Sequence, residues 1–316
     1  MSVYTVVKRE QLAQLLSQYS IGELLDYQGI SAGIENTNYF VTTSCGEFVL
    51  TLFESLDFNE LPYFLALMAH LSEHDVPCAH PVADKNNNFL QTLNQRPAAI
   101  VKKLPGKDNN NSTKAHAQEL GRVLAELHIA GQSFNQKKLN TRSEHWWQQT
   151  TEKLKPHIAE DVYRFLAAEI KFQQTVDRHS LPSGVTHADL FKDNVLWIGD
   201  KLTGVIDFYY ACSDCLLYDI AVTANAWFST QDGKLDTQLT CEFLSSYHHF
   251  RPLETVEHQN WPAMLRASAL RFLLSRLNDK HFPKPGEITH VKNPQEFYNI
   301  LNQRIQASQA LKQIWI

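Results

Sequence analysis

An α+β fold in two lobes, a small β-rich N-terminal lobe and a larger, mainly helical C-terminal lobe, is what this sequence predicts. Three observations carry that reading. Short runs rich in aromatic and β-branched residues dominate the opening third of the chain. The breaker Leu104-Pro105-Gly106 and the polar run from Lys107 to Thr113 then interrupt all periodicity. Beyond them, apolar residues recur at helical spacing as far as Leu277. The lobe boundary falls at the breaker, giving residues 1–104 and 105–316.

In chain order, Glu10 to Leu16 has helical spacing. The runs Thr37 to Thr43 and Glu47 to Phe53 are β-rich and joined at Ser44-Cys45-Gly46, a hairpin signal. Leu61, Phe64, Leu65, Met68 and Leu71 share one helical face, and Ala98 to Val101 is a further short strand. After the breaker, Leu120, Val123, Leu124, Leu127 and Ala130 form a stripe ending at Gly131, with His128 beside it as a packed core histidine. Tyr163 to Val176 is amphipathic and is followed by Pro182 and Gly184. Ile220 to Phe228, Gln238 to His248 and Met264 to Leu277 read as helices, with Arg266, Arg271 and Arg276 of the last as surface or ion-pair groups, the alternative being that one of them faces a carboxylate substrate.

Composition narrows the function classes. With 316 residues, 43% hydrophobic and 20% charged, the chain is an ordinary globular one. A formal net charge of -5 and no blocks of Lys/Arg argue against nucleic acid or anionic membrane as partner, since each demands a basic face. Five cysteines, an odd number without a framework, argue against a disulfide-stapled secreted domain, and Cys212-Ser213-Asp214-Cys215 has no second pair or His cluster to complete a zinc site. The N-terminus lacks a basic and apolar leader, and no window approaches the ~20 apolar residues of a membrane span, so a cytoplasmic location is expected.

The chemistry concentrates in His187-Ala188-Asp189-Leu190-Phe191-Lys192-Asp193-Asn194 and in Ile206-Asp207-Phe208. Asn194 to Ile198 and Thr203 to Ile206 are short apolar runs about the turn Gly199-Asp200-Lys201, so they predict a β-hairpin. A hairpin returns the chain to its start, which puts Asn194 and Asp207 at one end of the ribbon with Asp189 in the loop that feeds it. An Asp to accept a hydroxyl proton and an Asn and Asp to hold a hard cation are what phosphoryl transfer from Mg-ATP requires. His187 is expected to brace the loop through its ring nitrogens rather than to titrate.

The N-terminal lobe should supply a cradle for the phosphates, and the segment from Ile30 to Asn38 precedes a strand at the right place. Ser31, Gly33, Asn36 and Asn38 are its candidate nucleotide contacts, with Val101 and Lys102 at the end of the last strand. A β-rich nucleotide-binding lobe, a breaker, and a helical catalytic lobe carrying a hairpin with Asp, Asn and Asp make the layout of a two-lobed protein-kinase-like fold.

These residues resemble the aminoglycoside phosphotransferase and choline kinase superfamily, whose motif is HGDxxxxN followed by a metal-binding Asp. Gly33 to Thr43, Phe48 to Glu54, Leu61 to Phe64, Val185 to Phe191, Gly204 to Tyr209 and Ala269 to Leu277 are similar, more narrowly, to the bacterial homoserine kinases of this fold. The resemblance implies transfer of the γ-phosphoryl group of ATP to the hydroxyl of L-homoserine, a small-molecule acceptor. It gives Asp189 the hydroxyl proton and gives Asn194 and Asp207 the Mg²⁺. Asp219 matches an Asp that follows the hairpin and either caps the next helix or supports the site. Kinase-like folds usually carry a Lys on the strand Phe48 to Phe53, where this chain has Thr51. Mg²⁺ or Lys102, Lys103 or Lys192 would then offset the phosphate charge, and Glu60 loses its expected role as partner of that Lys. Tyr209 and Asp214 are the candidate contacts for a zwitterionic acceptor.

Overall fold

A computed structural model gives the fold of residues 4–30, 36–283 and 292–316. The chain divides into two compact units, Met1–Gly106 and Lys107–Ile316.

The first unit begins with α1 (Arg9–Leu16) and continues through β1 (Leu24–Gly29), β2 (Thr37–Thr43), β3 (Gly46–Leu52), α2 (Leu61–Glu73), β4 (Leu90–Leu93) and β5 (Arg96–Lys102). The strands form one antiparallel sheet in the order β1-β2-β3-β5-β4. Period-2 alternation gives that sheet two chemically different faces. Tyr39, Val41, Phe48, Leu50, Leu52, Ala98 and Ile100 point into a core completed by Leu12, Leu15 and Leu16 of α1. The opposite face carries Asn38, Thr51 and Ala99 in register across three strands, with Val49 opposite Val101 beside them. Strand β1 was not foreseen, because its burial alternates poorly and Leu25 is largely exposed.

The second unit contains α3 (Lys114–Gly131), α4 (Glu144–Leu154), α5 (Glu160–Gln173), β6 (Ser183–Thr186), β7 (Val195–Ile198), β8 (Lys201–Val205), β9 (Cys212–Cys215), α6 (Leu216–Phe228), α7 (Thr237–Phe250), α8 (Thr255–His281), α9 (Pro294–Gln306) and α10 (Ser308–Leu311). Thr113 caps α3 by accepting the His116 N–H, so the polar run ends where the helix begins. Helix α3 packs on α7 at close range, because a Cβ at Gly121 would stand 2.3 Å from the Phe243 carbonyl oxygen. The 27-residue α8 is buried along most of its length, packing against α4, α5, α6 and α9. Two ribbons complete the unit: β7 pairs with β8 as the predicted hairpin, and β6 pairs with β9. Among the described residues no helix is long and apolar enough to cross a membrane.

Candidate active site

The segment between β6 and β7 is shaped by one buried carboxylate. Ala188 has φ +62°, a left-handed conformation that costs a non-glycine residue about 1–2 kcal/mol. Asp219, in the first turn of α6, accepts the N–H of His187 at 2.7 Å and that of Ala188 at 2.8 Å. Hydrogen bonds to a charged acceptor contribute about 1.5–3 kcal/mol each, enough to outweigh the backbone strain. His128 of α3 sits 3.1 Å from Asp219 Oδ2 through Nε2 and 2.6 Å from the Tyr247 hydroxyl through Nδ1. Burial alone would push the Asp219 carboxyl up. The His128 hydrogen bond and charge, with the His187 ring and backbone N–H, hold it below its usual range instead. Of the two roles open to Asp219, the geometry assigns loop support, since its carboxylate points to the loop and not to its own helix.

His187 braces the same loop from inside. The Asp189 N–H donates to Nδ1 at 3.3 Å and the ring meets the Ile206 carbonyl at 3.0 Å through Nε2, so the proton resides on Nε2. Burial pushes its pKa below the ordinary value, against the charge of Asp219. The ring also packs on Phe208 at 4.7 Å. It therefore ties Asp189 to the residue before Asp207, which is the bracing role expected of it.

The hairpin closes as its spacing predicts. The Ile206 N–H donates to the Asn194 carbonyl at 3.0 Å, and Val195 stands opposite Val205. Asn194 is buried and its Nδ2 donates to the Asp189 carbonyl at 2.8 Å and to Asp189 Oδ2 at 3.2 Å. Both bonds use the amide nitrogen, so the amide oxygen is turned the other way. Asp207 follows with φ +63° and an exposed side chain. An amide oxygen and an exposed carboxylate at one end of a hairpin suit a hard cation that also takes phosphate oxygens. Among the described residues no cluster of three His, Cys, Asp or Glu side chains offers an all-protein cage.

Beside this set lies one of the three arginines that the sequence reads as surface or ion-pair groups, with the alternative that one of them faces a carboxylate substrate. Arg271 of α8, with only 5% of its side chain exposed, directs Nη1 to Asp189 Oδ1 at 3.4 Å. Its guanidinium also stands 4.9 Å from the Tyr210 ring. Arg266 and Arg276 form ion pairs with Glu169 and Glu296, so none of the three arginines is simply a surface group. The signal was present in Ala269-Leu270-Arg271-Phe272-Leu273, where a cation is embedded in an apolar run and arginine is seldom buried without purpose. Of the expected acceptor contacts, Tyr209 is half-buried and follows Asp207 within two residues. Asp214 is half-buried in β9 and engaged, accepting Asn140 Nδ2 at 2.6 Å and the Cys215 N–H at 2.7 Å. Cys212 and Cys215 are buried free thiols, and burial pushes the Cys212 thiol up to about 12, so neither is poised as a thiolate.

The first unit places its expected nucleotide residues unequally. Ser31 and Gly33 lie outside the described residues. Asn36 is half-buried just before β2, and Asn38 stands opposite Thr51, whose hydroxyl donates to Asn38 Oδ1 at 2.8 Å. Val101 shares that face, whereas alternation puts Lys102 on the other. Of the cations considered as substitutes, Lys103 pairs with Glu47 at 2.9 Å and Lys192 donates to the Asn110 carbonyl at 3.0 Å.

Residues 26–253 match the phosphotransferase enzyme family. That stretch includes Asp189, Asn194, Asp207 and Asp219 and stops short of α8. The chain is 50% identical over 316 residues to the homoserine kinase of Methylobacillus flagellatus, covering 100% of this chain and 99% of that one. It is 47% identical over 316 residues to the homoserine kinase of Methylobacillus glycogenes, again covering 100% and 99%. Among solved structures it is similar to an amicoumacin kinase in complex with AMP-PNP, Ca²⁺ and amicoumacin, with a TM-score of 0.71, 13% identity and 96% and 94% of the two chains covered. That likeness gives the kinase-like fold, in agreement with the two-lobed α+β expectation.

Proposed function

This chain belongs to the phosphotransferase enzyme family and, within it, to the homoserine kinases, and from that premise we propose how its own residues carry the reaction. The reaction moves the γ-phosphoryl group of ATP to the side-chain hydroxyl of L-homoserine and yields ADP and O-phospho-L-homoserine. The observation that carries the site assignment is the hydrogen-bonded set of Asp189 and Asn194 at the mouth of a hairpin that delivers Asp207.

Asp189 accepts the hydroxyl proton as the acceptor oxygen bonds to the γ-phosphorus and the bond to the β–γ bridging oxygen breaks. Its carboxylate is held in place from two sides, by the Asn194 amide and by the Arg271 guanidinium. Asn194 and Asp207 would hold a Mg²⁺ through oxygen, and that cation would supply neutralisation of the phosphate charge. The fit rests on the Asn194 amide being oriented by Asp189. Asp219 does not touch the reactants in this account. It fixes the backbone at His187 and Ala188, and so the direction in which Asp189 points.

In the first unit, Asn38 and Val101 are the nucleotide contacts we favour, on the sheet face that also carries Thr51. Thr51 fills the usual lysine position with a neutral hydroxyl that orients the Asn38 amide. Small-molecule chemistry of this kind and five free thiols go with a cytoplasmic setting.

The direct test is an acceptor panel. ATP consumption with L-homoserine, choline, L-serine and an aminoglycoside is measured, and the phosphorylated product is identified by ³¹P NMR. L-Homoserine should be preferred by orders of magnitude in kcat/KM. A clear preference for any other acceptor overturns the assignment.

A further inference from the structure

Four arginines are buried in the second unit, and three of them are well matched. Arg251 meets Glu257 at 2.9 and 3.2 Å. Arg276 donates to the Asn293 carbonyl at 2.9 Å and to Glu296 at 2.6 Å. Arg304 donates to Asn225, to the Gly233 carbonyl and to Ser229 at 2.9, 2.8 and 2.7 Å. Arg271 is the exception. Among the described residues its only hydrogen bond is the 3.4 Å contact to Asp189, although a guanidinium carries five N–H donors and cannot shed its charge. Its Nε and Nη2 are not among the buried side-chain atoms left without a partner, so these donors are accessible beside the reacting carboxylate, where a second anionic group can meet them.

The surroundings point the same way. The Tyr210 ring lies 4.9 Å from the Arg271 guanidinium and 5.8 Å from that of Arg142, so two cations stand near one aromatic ring. Arg142 is set there by a purpose-built clamp. Its N–H donates to Asn140 Oδ1 at 2.8 Å, Asn140 in turn is bonded to Asp214, and the Ser213 N–H donates to the Lys138 carbonyl at 2.7 Å. Asp214, the acid expected to read the acceptor, thus holds the loop that carries Arg142.

Resting on the proposed reaction, we infer that Arg271 binds the α-carboxylate of the acceptor, with Arg142 as a second cation beside Tyr210. The pair thereby selects hydroxy amino acids over amino alcohols. Dimensions agree. From hydroxyl oxygen to carboxylate, homoserine spans about 5 Å by ordinary bond lengths. A hydroxyl on Asp189 therefore brings the carboxylate within reach of the neighbouring guanidinium. Arginine presents a planar fork that matches a carboxylate with two parallel hydrogen bonds, which a lysine cannot reproduce.

The test compares L-homoserine with 3-amino-1-propanol, the same acceptor without its carboxylate. Wild-type enzyme should favour L-homoserine strongly. Arg271→Met should lower that preference by about 100-fold or more, chiefly through a raised KM for L-homoserine, with Arg271→Lys intermediate. Arg142→Met, on a half-exposed loop residue, should lower the same ratio by about tenfold. It serves as the second probe if Arg271→Met does not fold, which a melting curve and ATP affinity reveal. Equal losses on both acceptors in kcat would make Arg271 only a positioning residue for Asp189 and overturn the inference. So would a wild-type enzyme indifferent to the carboxylate, or an unchanged ratio in Arg142→Met where Arg271→Met fails to fold. A wild-type chain that phosphorylates neither acceptor would instead break the proposed function itself.

Discussion

The two units handle polarity by opposite means. In the first, at the strand position where kinase-like folds usually carry a Lys, stands a neutral pair, Thr51 and Asn38, joined by one hydroxyl-to-amide hydrogen bond between adjacent strands. In the second, charged groups lie in and around the loop: the buried Asp219, hydrogen-bonded to His128, and the half-buried Asp189 beside the buried Arg271. Neutral hydrogen bonds contribute about 1 kcal/mol and can be replaced by apolar contact at little cost, whereas removing one member of a buried charged set leaves the other stranded. The comparison teaches where this chain can tolerate change. The first unit's polar pair should be forgiving, and the second unit's charged loop should not.

Four perturbations sharpen or break that contrast, taken from the largest expected effect. Asp189→Asn should reduce kcat by about a thousandfold or more while ATP affinity, measured by calorimetry, stays within a few-fold. Retention of a near-normal rate would remove Asp189 from the proton-accepting role. Asp219→Asn keeps the shape but loses the charge that holds two loop N–H groups and His128. Stability should fall by about 3 kcal/mol in thermal or denaturant unfolding, with kcat reduced at least tenfold. A variant that melts like wild type yet loses activity would mean that Asp219 acts in the chemistry and not on the fold.

Acidification tests the same loop without a mutation. The folded-state pKa of His187 is below its ordinary 6.5, so the folded protein resists a proton that the unfolded chain accepts. Its contribution to stability is therefore full above about pH 6.5 and is lost as pH falls toward the folded value, with a slope of at most about 1.4 kcal/mol per pH unit. Asp219, depressed from 3.8, adds a second loss only below that value. Melting temperatures between pH 7.5 and 5 should fall more steeply in wild type than in His187→Gln, and identical slopes would contradict the assignment. The smallest effect belongs to Thr51→Val, which should change kcat and the KM for ATP by less than about tenfold because only one neutral hydrogen bond is lost. A thousandfold loss there would show that the hydroxyl handles phosphate charge.

What the sequence made legible follows from the range of the interactions involved. Strands β2 and β3 and the β7–β8 hairpin are encoded by alternation and a turn within a few residues, and those patterns also located Asn194 and Asp207. The β6–β9 ribbon was invisible because each strand has four residues, Pro182 and Gly184 stand at the start of one, and the other spells a CxxC. Helix α4 was not legible because its buried face, Trp147, Thr150, Thr151 and Leu154, is half threonine, so its helical spacing does not show as an apolar stripe. The long-range partners were out of reach altogether. His128 is 91 residues from Asp219, and Arg271 is 82 residues from Asp189. No local pattern specifies such pairings, though a charged residue inside an apolar helical run flags that one exists.

The most direct measurement sets the two units against each other in one assay. Single-turnover phosphorylation of L-homoserine, with saturating ATP and divalent cation, is followed for wild type, Asp189→Asn and Thr51→Val. The charged loop of the second unit carries the chemistry if Asp189→Asn slows transfer about a thousandfold or more while Thr51→Val slows it by less than tenfold. Comparable losses in the two variants, or a greater loss in Thr51→Val, would contradict that account.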